Sequence, residues 1–599
     1  MKADLKHALA IAREAAIEAG DLLRADFHRP GGARGKIDKA DADTEAEQLI
    51  RGRLTAAFPT WSYQGEETGR QAGAPGAPVW LVDPNDGTRD YLVGRRGSAV
   101  SIGLVSDGQP VVGVVFAFGY PDDRGTLVTW AEGQGPVVRD GVAATARLPT
   151  SLGVSDVVLV SSKGDRDPPG NLRCTMPARY RTLPSIAHRL ALVAAGEAAA
   201  TNSLYGPWGW DYAGGHALLR GAGGTVVDGD GHEVVYAANG DSRSRNAYGG
   251  AAEVAQELAR RPWGAVDGDG RGPRPASVER GRAIADPALL ARAHGCLMGQ
   301  AAGDSLGALV EFRSASAIAA AGDGPRHLQD GGHWNLLAGQ PTDDTEMAIA
   351  LARSILDARG YDAKAALAAY QAWGASGPFD MGNATSAALR GAPDGDSQAN
   401  GSLMRASPLG VYAHALPPDA IARVAREDSA LTHPHRVCGD SVAAYVIAIA
   451  HAVRTGDGPE AAYEAALTWA RKEADPSVAE ALARAASSAP TCDERTIGWV
   501  LIALQNAFYE LLHAASVEEG VIATVRRGGD TDTNAAIAGA LLGAVHGRDA
   551  VPMQWRQMVL SCRALAPAAA HPRPLPYWPT GVYELAERLL VAGNDARQR

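Results

Sequence analysis

Apolar positions recur at helical spacing over residues 3–26, where Leu5, Ala8, Ile11, Ala15, Ile17 and Leu22 predict an amphipathic helix. After a glycine-rich turn, the stretch from Lys39 to Ile50 predicts a second helix with acidic residues in its first turn. The period then changes. A strand is expected to end before Gly65-Glu66-Glu67, and Val79-Trp80-Leu81-Val82 reads as a buried strand. Further strands are expected at 98–105, 111–118 and 126–130. An apolar run opens at Trp210-Asp211, and Gly223-Gly224-Thr225-Val226-Val227 returns to strand. From Arg261 to Pro287, Gly, Pro and charged residues dominate without any apolar period, as in a linker. Beyond it Ala and Leu prevail, and segments 287–304, 345–358, 363–374, 418–427, 439–453, 459–471, 477–487, 496–515 and 534–546 suit helices. The expected organisation is an α/β domain over 1–260, a linker over 261–287 and an all-α domain over 288–599.

Length alone suggests on the order of three to four domains, and an apolar content of 46% is ample for real cores. The net charge of −11 and the lack of a Lys/Arg run argue against a nucleic-acid partner. Five cysteines (Cys174, Cys296, Cys438, Cys492, Cys562) are scattered with no CxxC pair, so neither a disulfide framework nor a zinc ribbon is supported. Arg13, Glu14 and Glu18 interrupt any signal-peptide core, and no stretch reaches the ~20 apolar residues of a membrane span. A soluble, cytoplasmic protein without a membrane partner is expected.

Two short stretches carry the chemistry of the second half. In Arg527-Gly528-Gly529-Asp530-Thr531-Asp532-Thr533 two glycines allow a sharp turn, and two carboxylates then stand at the start of an apolar helix. Thr342, Asp343, Asp344 and Thr345 precede another. Asp and Thr also serve as helix caps. One cap needs one such residue, whereas each stretch crowds three or four, and hard oxygen ligands in two clusters suit a magnesium pair. In the first half Glu66, Asp83, Asp86 and Asp211 could each cap or solvate a turn. Together they form a carboxylate set of the kind that holds two or three magnesium ions against a phosphate.

Gly65-Glu66-Glu67, Asp83-Pro84-Asn85-Asp86-Gly87-Thr88 and Trp210-Asp211 make residues 1 to about 258 resemble the inositol monophosphatase superfamily of magnesium-dependent phosphatases. The resemblance implies a layered αβαβα sugar-phosphatase-like fold. It also implies Glu66, Asp83, Asp86, Asp211 and the Asn85 carbonyl as metal ligands. Gly87 and Thr88 would offer N–H groups to the phosphate, and Thr88 with Asp43 would orient and deprotonate the attacking water. Asp86-Gly87-Thr88-Arg89-Asp90-Tyr91 and the run after Trp210 are similar to 3'(2'),5'-bisphosphate nucleotidases, with Arg89 on the substrate side. Where the inositol enzymes carry a ring-binding glutamate, seven residues before Asp211, this chain has Leu204. His188 and Arg189 lie where specificity is often set and could bind a second phosphate; the alternative is an exposed helix face.

The second half carries Gly295 to Gly307 ending at Glu311-Phe312, Thr342 to Thr345, Met381-Gly382-Asn383, Asn400-Gly401-Ser402-Leu403-Met404-Arg405, Thr432-His433-Pro434 and Gly528 to Thr533. In this series it resembles the ADP-ribosylglycohydrolase family, whose dinitrogen-reductase-activating members are best known. The resemblance implies a magnesium pair on Thr342, Asp343, Asp344, Asp530, Asp532 and Thr533. It implies a mobile Glu311 near the scissile ribose bond, with the acid and base drawn from Glu311, Asp344 and Asp530. Asn400, Gly401, Ser402 and Met404 would shape the diphosphate and ribose pocket, Arg405 would brace that loop, and His433 would line the adenosine side.

Joined, the two halves imply a bifunctional magnesium-dependent hydrolase. It would cleave ADP-ribosyl glycosidic bonds and a phosphomonoester of a nucleotide or ADP-ribose-related compound. Partners would be such a small molecule, an ADP-ribosylated protein and a second copy of the chain. The competing readings are an ADP-ribosyl-binding module that delivers the phosphatase, and an inositol- or sugar-phosphate phosphatase.

Overall fold

The computed structural model describes residues 2–266, 277–322, 324–493 and 496–598. The chain divides into two compact units, Met1–Ala285 and Asp286–Arg599. The stretch expected as a linker lies partly outside the described residues, at 267–276. On its flanks Trp263 is buried beside Tyr248, and Val278 and Ile284 are buried within the first unit, where Arg96 donates to the Ile284 carbonyl at 2.8 Å.

Among the described residues the first unit holds an eight-stranded and a five-stranded sheet. The larger has Val79–Asp86 between Ser62–Gly65, parallel to it, and Ala99–Ser106, antiparallel; Gln109–Ala117 and Thr126–Ala131 continue outward. The strands expected at 98–105, 111–118 and 126–130 fall within two residues of these, and the one expected at 79–82 runs on four residues further, to Asp86. Val157–Ser161, Arg179–Leu183, Ala200–Ser203 and Ala247–Gly250, which belong to the smaller sheet, were not anticipated. The helices Lys2–Phe27 and Asp41–Ala57 pack on each other and on the larger sheet. The first buries a face of small side chains, Ala8, Ala12, Ala15, Ala16 and Ala19, ended by Leu5 and Leu23. Ile11, Ile17 and Leu22, expected at its centre, flank that face. The pair Ile186–Ala194 and Gly209–Gly221 touches strands of both sheets.

A paired glycine contact seats one of these helices. Gly103 and Gly113 face each other across neighbouring strands. A Cβ on Gly103 would meet Ala213 at 2.6 Å, and one on Gly113 would meet the Gly214 carbonyl at 2.3 Å. The bare backbone therefore lets Gly209–Gly221 lie close over the sheet. Ser101, opposite Asp83 in the ladder, donates to the Trp210 carbonyl at 3.1 Å, which delivers Asp211 to Asp83.

Among the described residues of the second unit, the named elements are all helices. At its centre Pro287–Gly307 packs against Thr531–His546. Gly295, Gly299, Gly303 and Gly307 recur every fourth residue and so share one face. Cβ atoms there would stand 2.1–2.3 Å from the carbonyls of Gly543, Gly539, Ala535 and Thr531. Gly539 and Gly543 answer from the partner helix, meeting Gly299 and Gly295 carbonyls at 2.3 and 2.0 Å. This contact brings Asp304, beside Gly303, close to the acidic start of Thr531–His546. Among the described residues one helix, Arg436–Thr455, is long and apolar enough to cross a membrane by length and composition, although the sequence reading found none; 89% of its apolar window is buried inside the unit. Arg436, Asp440 and Arg454 break up its apolar run in the sequence.

Candidate functional site

In the first unit the acidic residues converge at the carboxyl end of Val79–Asp86. That strand runs on through Asp83-Pro84-Asn85-Asp86 with a register shift between Asp83 and Asp86, so the two carboxylates are re-aimed within one strand. Glu66 follows Ser62–Gly65, and its N–H bonds to the Val82 carbonyl at 3.1 Å. Asp83 accepts from the Asn85 N–H at 2.8 Å. Asp86 accepts from the Ser185 hydroxyl at 2.6 Å and the Ala187 N–H at 2.8 Å, at the start of Ile186–Ala194. Asp211 accepts from the Trp208 N–H at 2.8 Å. Burial and the charges of Glu66, Asp86 and Asp211 push Asp83 well above the usual carboxylate range; Asp211 is raised likewise by burial, Asp86 and Glu66. Glu66, exposed on one side, is pushed to about 7 by lost hydration of its carboxylate and by neighbouring carboxylates.

Asp43, Asn85 and Thr88 form a tight triangle. Asp43 accepts from the Asn85 amide at 2.8 Å and the Thr88 hydroxyl at 3.1 Å, and the same hydroxyl lies 3.0 Å from the Asn85 carbonyl. Burial raises Asp43 to about 7 against these hydrogen bonds. Gly87, at φ +103°, turns the chain so that Thr88 can begin the helix Thr88–Leu92. Exposed Arg89 pairs with Asp38 at 3.1 Å.

His188 and Arg189 are each 1% exposed, so the chain corrects both the second-phosphate expectation and the exposed-face alternative. His188 contacts the Gly97 carbonyl at 3.3 Å and the edge of Tyr120, and burial lowers it to about 3. Arg189 donates to the carbonyls of Leu183, Pro184 and Asn202. Both brace the helix that holds Asp86. Sequence reasoning missed Ser185 and Glu47. Glu47 is fully buried and accepts the N–H groups of Glu67 at 2.6 Å and Thr68 at 2.8 Å, which fixes the turn bearing Glu66. A Cβ on Gly65 would collide with it at 1.9 Å, so the glycine and the glutamate require each other.

In the second unit both Asp/Thr stretches open helices, Asp343–Asp357 and Thr531–His546. Their N-cap residues, Thr342 and Asp530, make no side-chain cap bond, which counts against capping as their purpose. For the first helix Asp304 does that work, accepting the N–H groups of Thr342 and Thr345 at 3.1 Å. The Thr342 hydroxyl lies 3.0 Å from Asp304 and 2.8 Å from Asp344. Gly528 and Gly529, at φ +70° and +77°, make the turn into the second helix. Hydrogen bonds between Gly529 and Phe312 and Arg313 lock that turn to the segment after Gly307, so Glu311 stands beside Asp530.

A cavity of about 580 Å³ opens here. Asp343, Asp530, Asp532, Thr533, Glu311, Asn400, Gly401, Met404 and His433 all line it; Thr342 and Asp344 lie behind its wall. Ser402 does not line it: its side chain is fully buried and accepts from the Ser429 hydroxyl at 2.8 Å, which corrects its place in the pocket. Asn400 donates to Asp530 at 2.7 Å. Buried Arg405 donates to the Gly401 carbonyl, to Asp428 and to the Thr432 hydroxyl at 2.7 Å. The Thr432 hydroxyl also lies 2.8 Å from His433 Nδ1, which ties the ring to the Arg405 network. Burial and the Arg405 charge lower His433 to about 3, so it stays neutral.

Asp380 was not foreseen. It lines the cavity, and one oxygen each of Glu311, Asp380 and Asp532 lie within 4.8 Å of one another. Trp334 donates its indole N–H to Glu311 at 2.7 Å. Burial and the Asp380 charge raise Glu311 to about 8; burial and the Asp530 charge raise Asp380 to about 6. Asp343, Asp344 and Asp532 are pushed well above the carboxylate range by burial and by each other's clusters.

Both donor sets fit a hard divalent cation. Oδ1 of Asp344, Oδ1 of Asp532 and Oδ1 of Asn85 are buried without a hydrogen-bond partner. Crowded carboxylates of this kind need positive charge or protons among them, and their ligands are all oxygen.

Residues 285–596 match the ADP-ribosylglycohydrolase family, and residues 4–260 match the inositol monophosphatase family. The ADP-ribosyl-[dinitrogen reductase] glycohydrolase of Rhodospirillum rubrum is 30% identical over 278 residues, 45% of this chain and 90% of that protein. Inositol monophosphatase 3 of Solanum lycopersicum is 31% identical over 240 residues, 38% of this chain and 87% of that protein. A solved ADP-ribosylglycohydrolase-related protein complex is 30% identical, covering 50% of this chain and 98% of its own, with a TM-score of 0.41. The chain therefore belongs to two hydrolase families at once, the inositol monophosphatase family through residues 4–260 and the ADP-ribosylglycohydrolase family through residues 285–596.

Proposed function

We propose that the second unit hydrolyses ADP-ribosyl glycosidic bonds, and that the first hydrolyses a phosphomonoester of a nucleotide or an ADP-ribose-related compound. The observation that carries the first part is the meeting of two acidic helix starts with Glu311 and Asp380 at one cavity. Asp343, Asp344, Asp530, Asp532, Thr342 and Thr533 would hold a magnesium pair there; Glu66, Asp83, Asp86, Asp211 and the Asn85 carbonyl would hold two or three ions in the first unit. Bound magnesium supplies charge neutralisation and polarises phosphate or ribose oxygens. In the first unit Thr88 holds the attacking water and passes its own hydroxyl proton to Asp43 as it takes one from the water. In the second, three carboxylates within 4.8 Å cannot all ionise freely. A proton held among them goes to the leaving group, and an ionised member takes the proton of the incoming water. Asn400 fixes Asp530, and His433 offers a ring nitrogen to the nucleotide portion. The packing of helix pairs on and between the sheets supports an αβαβα order for the first unit. Functional domains at 1–260 and 288–599 remain our assignment.

A second reading is an inositol- or sugar-phosphate phosphatase, favoured by the names of the first unit's relatives, among them inositol-1-monophosphatase of Mesorhizobium japonicum, 34% identical over 236 residues. Leu204 packs against the core of the smaller sheet and offers no ring-binding carboxylate, which favours the nucleotide reading. The test is ADP-ribose release and phosphate release by the intact protein with magnesium. The phosphate panel holds 3'-phosphoadenosine 5'-phosphate, ADP-ribose 1''-phosphate, NADP and inositol 1-phosphate. Asp530→Asn should abolish only the first activity and Asp86→Asn only the second. ADP-ribose release that survives Asp530→Asn would refute the assignment of the cavity, and preference for inositol 1-phosphate would favour the second reading.

A further inference from the structure

The loop between Ala200–Ser203 and Gly209–Gly221 leads straight into Asp211, and it carries two exposed aromatic rings, Tyr205 and Trp208. Each ring bears a cation. Lys163 Nζ stands 4.1 Å from the centre of the Tyr205 ring, and the Arg243 guanidinium stands 4.2 Å from that of Trp208. The loop is fixed from both sides. Gly206 and Gly209 donate to the carbonyls of Arg245 and Ser242, and Ser244 donates to that of Pro207, so 206–209 and 242–245 are zipped together. Trp208 and Trp210 stack at 5.1 Å with their planes 8° apart. The Trp208 N–H itself holds the Asp211 carboxylate. On the other side Ser162, next to Lys163, donates to Asp90 at 2.8 Å, two residues after Thr88.

Two cations are thus fixed at the border of a centre otherwise built from carboxylates. Arg243 is exposed and has no carboxylate partner among the described residues, so its charge is not spent on an internal ion pair. A cation braced on an aromatic face has less side-chain freedom left to lose when it meets an anion. The geometry points to Lys163 and Arg243 as a specificity pair that binds a second phosphate on the leaving group of the phosphomonoester. This rests on the phosphatase reading of the first unit. A nucleotide bisphosphate and a sugar or polyol bisphosphate share that chemistry.

The experiment is the ratio of kcat/KM for a bisphosphate to that for its monophosphate, in wild type, Lys163→Gln, Arg243→Gln and the double variant. One arm compares 3'-phosphoadenosine 5'-phosphate with adenosine 3'-monophosphate; the other compares inositol 1,4-bisphosphate with inositol 1-phosphate. Each single variant should lower the ratio roughly ten-fold, as loss of one charge-assisted contact does, chiefly through KM, and Lys163→Arg should restore it. Loss in the nucleotide arm alone, or in both, supports the pair and identifies which leaving group reaches it. A wild type that cleaves only the inositol compounds would overturn the nucleotide reading while leaving the pair to be judged on its own arm. A ratio unchanged in the double variant, on whichever arm is cleaved, would overturn the pair.

Discussion

Gly303→Ala isolates the contact on which the second site depends. A Cβ at Gly303 would lie 2.1 Å from the Ala535 carbonyl oxygen and 2.6 Å from its carbon. An unstrained carbon–oxygen contact is about 3.3 Å, so Pro287–Gly307 and Thr531–His546 must separate by roughly 1.2 Å at that level. Neither neighbour can yield by rotating a side chain, because both clashing atoms are backbone. Overpacking of this kind costs about 1–3 kcal/mol, against a gain of about 1 kcal/mol for alanine over glycine inside a helix. The net lies between about zero and a loss of about 2 kcal/mol. Activity should fall much further. The same displacement parts Asp304, which anchors Thr342 and Thr345, from Asp530 and Asp532, and an error of about 1 Å in such a site can cost about a hundred-fold in rate. The assays are thermal unfolding of the second unit and ADP-ribose release. Gly439→Ala is the control, since a Cβ there comes no nearer than 3.4 Å to Arg426, an ordinary contact; it should be neutral or stabilising. If Gly303→Ala raised the melting temperature as the control does and kept full activity, the close packing would not be what sets the site.

Replacing Glu47 by Gln removes the charge that holds the Glu67 and Thr68 N–H groups, and should weaken magnesium activation of phosphate release about ten- to hundred-fold; an unchanged magnesium titration would show that the turn holds itself. Asp380→Asn should lower ADP-ribose release by about a hundred-fold or more with an unaltered melting temperature, and activity near wild type would remove it from the chemistry. Buried His216, whose Nδ1 lies 3.1 Å from the Tyr236 hydroxyl, is lowered to about 3 by burial and the charge of Arg220. Above the ordinary histidine value of about 6.5 its proton affinity costs nothing; below it the unfolded chain binds a proton that the folded chain refuses, and stability falls by about 1.4 kcal/mol per pH unit toward 3. The raised carboxylates act in the opposite sense, but equally in wild type and His216→Gln. The variant should therefore lose less stability between pH 6.5 and 5 in urea unfolding, and parallel curves would refute the shift.

What the sequence could reveal about these sites follows from how each residue is held. Asp530, Asp532 and the run from Thr342 to Thr345 are legible because their donors are neighbours in the chain and each stands at the start of an apolar helix. Asp83 and Asp86 are legible for the same reason, in one strand. The residues that were missed act across the fold. Glu47 reads as one more acid on an acidic helix, and only the turn 20 residues later gives it a task. Asp380 follows Phe379 in a loop with no period, and its meaning comes from Glu311 and Asp532. His188 was misplaced for a different reason. The helix Ile186–Ala194 touches both sheets, and each of its residues is buried. An amphipathic reading assumes one face in water; a helix enclosed in this way must bury its polar side chains too. Arg189 meets that demand by saturating its guanidinium with backbone carbonyls and the Thr201 hydroxyl. The glycines at 295, 299, 303 and 307 lie between these cases. Their spacing marks a bare helix face in the sequence, but only Gly539 and Gly543 across from it turn that face into the device that brings two distant acidic clusters together.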